Sequence, residues 1–187
     1  MEIYGEKVKL RAMEPEDMEL FRQLMNDPET EKTTVGGNMP VSEYQQMKWY
    51  ESAVTSRDVL RFTIEELETG KAVGLYSAMK IDWQNRSIFV SYKIASDSRG
   101  KGLATDAQFA FFRYAFEEMG MHKIDGSVLE FNTGSKRVAD KTGMKREGIK
   151  REAVFKNGRF YDLVLLGVLY EDYLEAVKRQ NWMNSAN

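Results

Sequence analysis

Apolar and polar residues alternate over residues 8–13, where Val8, Leu10 and Ala12 oppose Lys9, Arg11 and Met13, and this period of two predicts a short strand. After Pro15 the period becomes helical. Met18, Phe21, Leu24 and Met25 recur three and four apart behind an acidic first turn, which predicts a helix ending near Asn26. Residues 26–40 contain Asp27-Pro28 and Gly36-Gly37-Asn38 but no period, and are expected to form a loop long enough to cover a substrate site. Ser42 followed three residues later by Gln45 is a capping box opening a second helix. Packing is the expected role of its Tyr44, Trp49 and Tyr50, with the lining of an acceptor cleft as the alternative.

Leu60, Phe62 and Ile64 then lie on one face of a strand, and residues 73–81 and 87–94 supply two more around a turn at 82–86, giving an antiparallel meander. A glycine-containing loop leads into a helix whose apolar face is Ala104, Ala107, Phe111 and Ala115. A strand at 124–129, a short helix at 134–142 stopped by Gly143, and a hairpin of 152–156 with 160–170 about Asn157-Gly158 complete the chain. The expected fold class is mixed α/β (α+β), a mostly antiparallel mixed sheet flanked by helices. One domain spanning 1–187 is expected, with a core at about 8–170 and a helical tail at 171–187.

A chain of 187 residues with net charge −2 is sufficient for a buried core without staples. With no cysteine, thiolate metal sites, disulfides and a cysteine nucleophile are excluded, and the single His122 excludes a multi-histidine metal site. No metal is expected, and His122 is assigned a surface or packing role. Near-neutral charge argues against nucleic acid as a partner. No apolar run approaches the ~20 residues that span a bilayer, so no membrane partner is expected. The expected location is cytoplasmic.

The most informative stretch is Ser96-Asp97-Ser98-Arg99-Gly100-Lys101-Gly102-Leu103-Ala104-Thr105, a basic glycine turn between an apolar strand and an apolar helix. Glycines allow the backbone to approach a ligand, and the first turn of the following helix offers free N–H groups, so the turn suits phosphate oxygens. A purely structural glycine turn is the alternative. A P-loop requires G-K-[ST], which the chain lacks, and a dinucleotide fingerprint requires a third glycine where Thr105 stands.

The turn resembles the pyrophosphate-binding signature of the GCN5-related N-acetyltransferase (GNAT) superfamily. Arg99-Gly100-Lys101-Gly102-Leu103-Ala104 matches the R-G-x-G-x-A form at every fixed position. Asn132-Thr133-Gly134-Ser135, then Lys141-Thr142-Gly143-Met144-Lys145-Arg146-Glu147-Gly148, is similar to the N-x-x-S and K-x-G-[FM]-x-x-E-G segments of the ribosomal-protein N-terminal acetyltransferase-like branch. Arg151-Glu152-Ala153 with Asn157-Gly158-Arg159-Phe160-Tyr161-Asp162 resembles that branch's ending, and Leu10-Arg11-Ala12 its opening strand.

The resemblance implies a sheet splayed between the strands ending at Ile94 and near Leu129, with acetyl-CoA as cosubstrate in the gap. Backbone groups of Lys93 and Ile94 would pair with the pantetheine arm. Residues Arg99, Gly100, Lys101, Gly102, Leu103, Ala104 and Thr105 would hold the pyrophosphate, and Asn132 and Ser135 would reach the thioester end. Lys101, or a cation among Lys136, Arg137 and Lys141, would meet the remaining phosphate. Asn132 is equally readable as a helix N-cap.

Acetyl transfer to an amine needs a neutral amine, an oxyanion donor and a proton for the leaving thiolate. Where many relatives carry an acidic base this chain has Phe89, and where others carry a tyrosine acid it has Ala139. The catalytic candidates are therefore Ser135 as proton donor, Glu152 as a base through water, and Asp162 as an alternative base. Each also has a plain reading, as ligand contact, strand-edge charge and turn residue respectively.

The expected activity is transfer from acetyl-CoA to a primary amine, leaning to a low-pKa amine such as a protein N-terminal α-amine or an amino sugar. A polyamine or other small-molecule amine, or a non-catalytic acyl-CoA-binding module, is the alternative. The acids Glu14, Glu16, Asp17 and Glu19 are expected to form a solvated helix face, with attraction of a cationic amine as the alternative, and the C-terminal Tyr170, Tyr173 and Trp182 are compatible with a monomer or a homodimer interface.

Overall fold

The computed structural model describes residues 1–35, 39–56 and 58–185, with side chains described as far as Gln180. Gly36-Gly37-Asn38 and the Trp182 side chain lie outside the described residues. The chain begins with two short antiparallel strands, β1 (Ile3–Tyr4) and β2 (Val8–Arg11). Their turn is held from across the molecule. Asp106 accepts from the backbone N–H groups of Glu6, Lys7 and Val8 at 3.0, 2.7 and 2.9 Å. Position 5 must be glycine for this approach, since a Cβ there would stand 2.3 Å from an Asp106 oxygen.

A 3-10 turn at Pro15–Asp17 leads into α1 (Met18–Asn26), whose Met18, Phe21 and Leu24 are buried as the periodicity predicts. Asp17 departs from the solvated face expected for it. It is 5% exposed and takes a two-pronged salt bridge from Arg11 at 2.8 and 2.9 Å, with further donors from the Glu14 N–H and the Thr63 hydroxyl.

The stretch expected to be a loop contains a helix, α2 (Pro28–Thr33). Its sequence PETEKT has no apolar period, so periodicity misses it. Its local chemistry is nonetheless helical: Asp27 caps it by accepting from the Glu29 and Thr30 N–H groups, and Pro28 occupies the first turn. The capping box of Ser42 and Gln45 opens α3 (Glu43–Thr55) as predicted. Tyr44 departs from its expected packing role, at 72% exposed, because it lies on the outer side of that helix. Trp49 meets Phe21 edge-on, with ring centroids 6.2 Å apart.

Strands β3 (Leu60–Glu66), β4 (Ala72–Asp82) and β5 (Ser87–Ile94) form the predicted meander. The helix α4 (Leu103–Arg113) continues through a π-helical turn at Tyr114–Glu118 and returns the chain to β6 (Lys123–Leu129), parallel to β5. Helix α5 (Thr133–Lys141) follows, then the hairpin of β7 (Lys145–Lys156) and β8 (Arg159–Leu169), and α6 (Tyr170–Ser185). The hairpin turn falls at Asn157-Gly158, both with positive φ, as expected. Its first strand starts at Lys145, seven residues earlier than the pattern predicts, because β7 is an edge strand with mostly exposed side chains and a bulge.

The sheet order is β1-β2-β3-β4-β5-β6-β8-β7. The main core fills one face, where Ala107, Phe111 and Phe112 of α4 pack on Tyr76, Ile88 and Ile124, joined by Tyr173 of α6. A fully buried phenylalanine contributes roughly 2–3 kcal/mol, so this aromatic layer fixes α4 on the sheet. The other face carries α1 and α3, whose Met18, Phe21, Leu24 and Ala53 form a second cluster with Met13. His122 is exposed, and its backbone N–H donates to the Arg86 carbonyl.

Candidate active site

The two halves of the sheet meet over three residue pairs only, Ser87 with Lys123, Ile88 with Ile124 and Phe89 with Asp125. Beyond them β5 stays with β4 as far as Ile94, and β6 stays with β8 as far as Leu129. Residues 90–94 and 126–129 thus form the lips of a gap, each with backbone groups that have no strand partner across it. The splay expected between Ile94 and Leu129 is present.

At the mouth of the gap the chain passes Ser96–Ser98 and Arg99 to Gly100 and Gly102, both left-handed at φ +81 and +84. Gly102 is the N-cap of α4, and no side chain caps that helix. The N–H groups of the first turn therefore face outward with the positive end of the helix dipole. Three cations stand around this turn. Arg99 is one and Lys101 another. Lys7 is the third, its Nζ 3.3 Å from the Lys101 carbonyl oxygen. No motif in the sequence marks Lys7, which comes from a turn 94 residues away.

Arg99 is already engaged: its Nε donates to the Ile94 carbonyl at 3.1 Å and its Nη2 to the Thr30 hydroxyl at 2.6 Å, with Asp27 at 3.4 Å. The Thr30 hydroxyl and the capping N–H groups hold the Asp27 carboxyl below its usual range. On the opposite lip, Asn132 caps α5 by accepting from the Ser135 N–H at 3.0 Å and donates to the Thr33 carbonyl at 3.1 Å. The N-cap reading of Asn132 is therefore present in the structure. Lys156, 6% exposed, donates to the Glu31 carbonyl and carboxylate at 2.7 and 2.5 Å. Helix α2 is thus tied to β5's exit turn, to α5 and to the β7–β8 hairpin at once.

Ser135 lies beside the Tyr92 phenol, which burial pushes up and which the Ser135 and Gln108 side chains pull the other way. Tyr92 is a second residue the sequence did not single out. Glu152 and Asp162 are also brought together: Glu152 sits at φ +49 on the β7 bulge, its N–H donating to Asp162 at 2.8 Å, and with Arg151 they line an open recess on the hairpin. Ser135 is not among the groups lining that recess. Phe89 is half-buried, with the Lys80 ammonium 5.3 Å from its ring centre, and Ala139 is buried in the main core. Lys136 donates to the Glu130 carbonyl.

Residues 7–145 match the family model of the acetyltransferase (GNAT) domain. The chain belongs to the GNAT acetyltransferase family. The SPbeta prophage-derived uncharacterized N-acetyltransferase YokL of Bacillus subtilis is 29% identical over 169 residues, covering 90% of this chain and 93% of that protein. The spermidine N(1)-acetyltransferase of Vibrio cholerae is 25% identical over 169 residues, covering 90% and 96%. A crystal structure of spermidine N-acetyltransferase from Vibrio cholerae in complex with CoA and spermine superposes with a TM-score of 0.82 at 25% identity, over 90% of this chain and 98% of that one.

This GNAT protein is an acetyl-CoA-dependent N-acetyltransferase. The splayed gap and the uncapped, cation-ringed α4 turn suit an extended cosubstrate ending in phosphates. Acetyl-CoA supplies the activated acetyl thioester. Among the described residues no helix is long and apolar enough to cross a membrane.

Proposed function

We propose that this acetyltransferase acts on a low-pKa primary amine, a protein N-terminal α-amine or an amino sugar, at the gap between β5 and β6. The observation that carries the reading is the parting of these strands after Phe89 and Asp125, beside a glycine-capped helix N-terminus. Backbone groups of Lys93 and Ile94 pair with the pantetheine arm, and the N–H groups from Arg99 to Thr105 take the pyrophosphate, with Lys101 and Lys7 as its cations. Asn132 acts by fixing the α5 N-terminus. Ser135 gives the leaving thiolate its proton, with Tyr92 as the hydrogen-bonding neighbour that replenishes it. Glu152 takes the amine's proton through water, and Asp162, which holds the bulge beneath it, is the alternative base.

An exposed Glu152 and a half-buried Asp162 working through water are weak base machinery. An amine of pKa ~10.4 is neutral about once in 2,500 molecules at pH 7, a deficit of roughly 4.6 kcal/mol, against about 1.1 for an α-amine near 7.8. The second reading, a polyamine acceptor, is favoured by the spermidine relatives. An amine panel scored by thiol release across pH 6–9 decides. Efficient α-amine or amino-sugar turnover at pH 7 is expected, while spermidine turnover exceeding both at that pH would overturn the proposal. Within the same panel, Ser135→Ala is expected to lower kcat by about 100-fold or more, and an unchanged kcat removes Ser135 from the chemistry.

A cytoplasmic setting fits a chain with no cysteine. A homodimer through the C-terminal segment rests on the exposed Tyr170, because Tyr173 is spent inside the fold against Phe109 and Phe116. Sedimentation as a monomer would remove it.

A further inference from the structure

The sheet face beneath α1 and α3 carries two cations that pair with no acid among the described residues. Arg61 pairs with Ser77 and Ser77 with Ser91 across β3, β4 and β5, while Thr63, Leu75 and Lys93 form the next row. Directly paired residues share a face, so Arg61, Ser91 and Lys93 point to the same side. That side is opposite α4 and α5, whose termini flank the cosubstrate's phosphates and thioester. The gap is the passage between the two faces, and Ser91, on its β5 lip, is exposed.

Arg61 is half-buried, stacks on Trp49 at 5.4 Å, and has a buried Nη1 without a hydrogen-bond partner among the described residues. Lys93 is half-buried with its Nζ 2.9 Å from the Met25 sulfur, a weak acceptor. Burial is the only influence pulling down the pKa of each group, and no carboxylate among the described residues acts on either. Glu65, on the same face of β3, is committed to Arg11 and Lys9, and of the acids of the elements over this face Asp17 pairs with Arg11, Glu19 with Arg22 and Glu51 with Lys48. Desolvated cations without counter-charges are costly. The two residues lie on strands two apart and in adjacent rows, about 12 Å between their backbones, within reach of one another for side chains of this length.

We propose that the amine acceptor bears an anionic group, received by Lys93 and Arg61 on the face opposite the cosubstrate's phosphates. This rests on the acetyltransferase reading and narrows its acceptor: the same two cations repel a polyamine. The anion is a carboxylate or a phosphate, two sources of one chemistry.

Charge-matched acceptor pairs test it. One pair is the tetrapeptide amides Asp-Ala-Ala-Ala and Asn-Ala-Ala-Ala. The other is glucosamine 6-phosphate and glucosamine, with spermidine as the cationic control. In at least one pair the anionic member is expected to have a kcat/KM about tenfold or more above its neutral partner, as a charge-assisted hydrogen bond supplies. Lys93→Met and Arg61→Met are each expected to bring that ratio towards one, and Lys93→Arg to preserve it. Melting curves with acetyl-CoA identify a variant that fails to fold, and Lys93→Met decides alone if Arg61→Met does.

A ratio near one in both pairs, or a preference that survives both substitutions, overturns the proposal. Calorimetric binding of the same pairs to CoA-loaded protein reads the preference without turnover. Anion preference in binding with no thiol release from any acceptor would count against the acetyltransferase reading alone. Thiol release without preference would count against the anion site alone.

Discussion

Asp17 is a buried acid whose charge is tied to stability through several partners at once. Burial alone would raise its carboxyl, but the Arg11 guanidinium, the Glu14 N–H and the Thr63 hydroxyl together hold it below its ordinary 3.8. A carboxyl depressed in the folded state stabilises the fold fully well above its unfolded pKa. That contribution declines as pH falls through about 4 and is gone below the folded value. Asp17→Asn is expected to cost about 3 kcal/mol at pH 7, because it strips a partner from a partly buried Arg11. Urea unfolding at pH 7 and pH 3 measures both effects. The variant's deficit should shrink at the lower pH, and a deficit independent of pH would show that packing, not charge, sets the cost. None of this was legible along the chain: Asp17 reads as one of four acids on a helix start, and its partners lie six and 46 residues away.

Among the elements, α2 is the one whose stability is borrowed. A six-residue polar helix cannot persist alone, and its ties run to Arg99, Asn132 and Lys156, one from each side of the gap and one from the hairpin. Lys156→Met is expected to leave Glu31 without its buried cation and to speed hydrogen exchange of the α2 amides roughly tenfold, about 1.4 kcal/mol, while β4 and β5 keep their protection. Equal exchange in variant and parent would show that Arg99 and Asn132 suffice.

The same contrast explains what the sequence could reveal. Strand β5, helix α4 and the Asn157-Gly158 turn were legible because one period or one turn chemistry determined each. Helix α2 and the first half of β7 were not, since neither buries a regular face. The glycine turn and the N-cap Asn132 were legible as motifs. Lys7, Tyr92 and the Arg61–Lys93 face were not, because each acquires its meaning only from the sheet register that brings distant strands together.

For the whole molecule, the decisive feature is a sheet joined at its middle by three residue pairs and open above them. The main core spans both halves, with α4 packed on Ile88 of β5 and Ile124 of β6, so the lips are held apart by packing and not by a hinge. A cosubstrate seated between them adds contacts to both lips. At ~100 times its dissociation constant acetyl-CoA should raise stability by about 2.7 kcal/mol, visible as a higher melting temperature. Hydrogen exchange locates that gain. Slower exchange is expected at residues 90–94, at the first turn of α4 and at the start of α5, with β1 to β3 little changed. Protection of the α4 turn alone would mean that phosphates bind there without a pantetheine arm between the strands, and the assignment of Lys93, Ile94 and Ser135 would fall. No protection anywhere would remove the gap as the cosubstrate site, leaving the left-handed glycines at 100 and 102 as a structural turn.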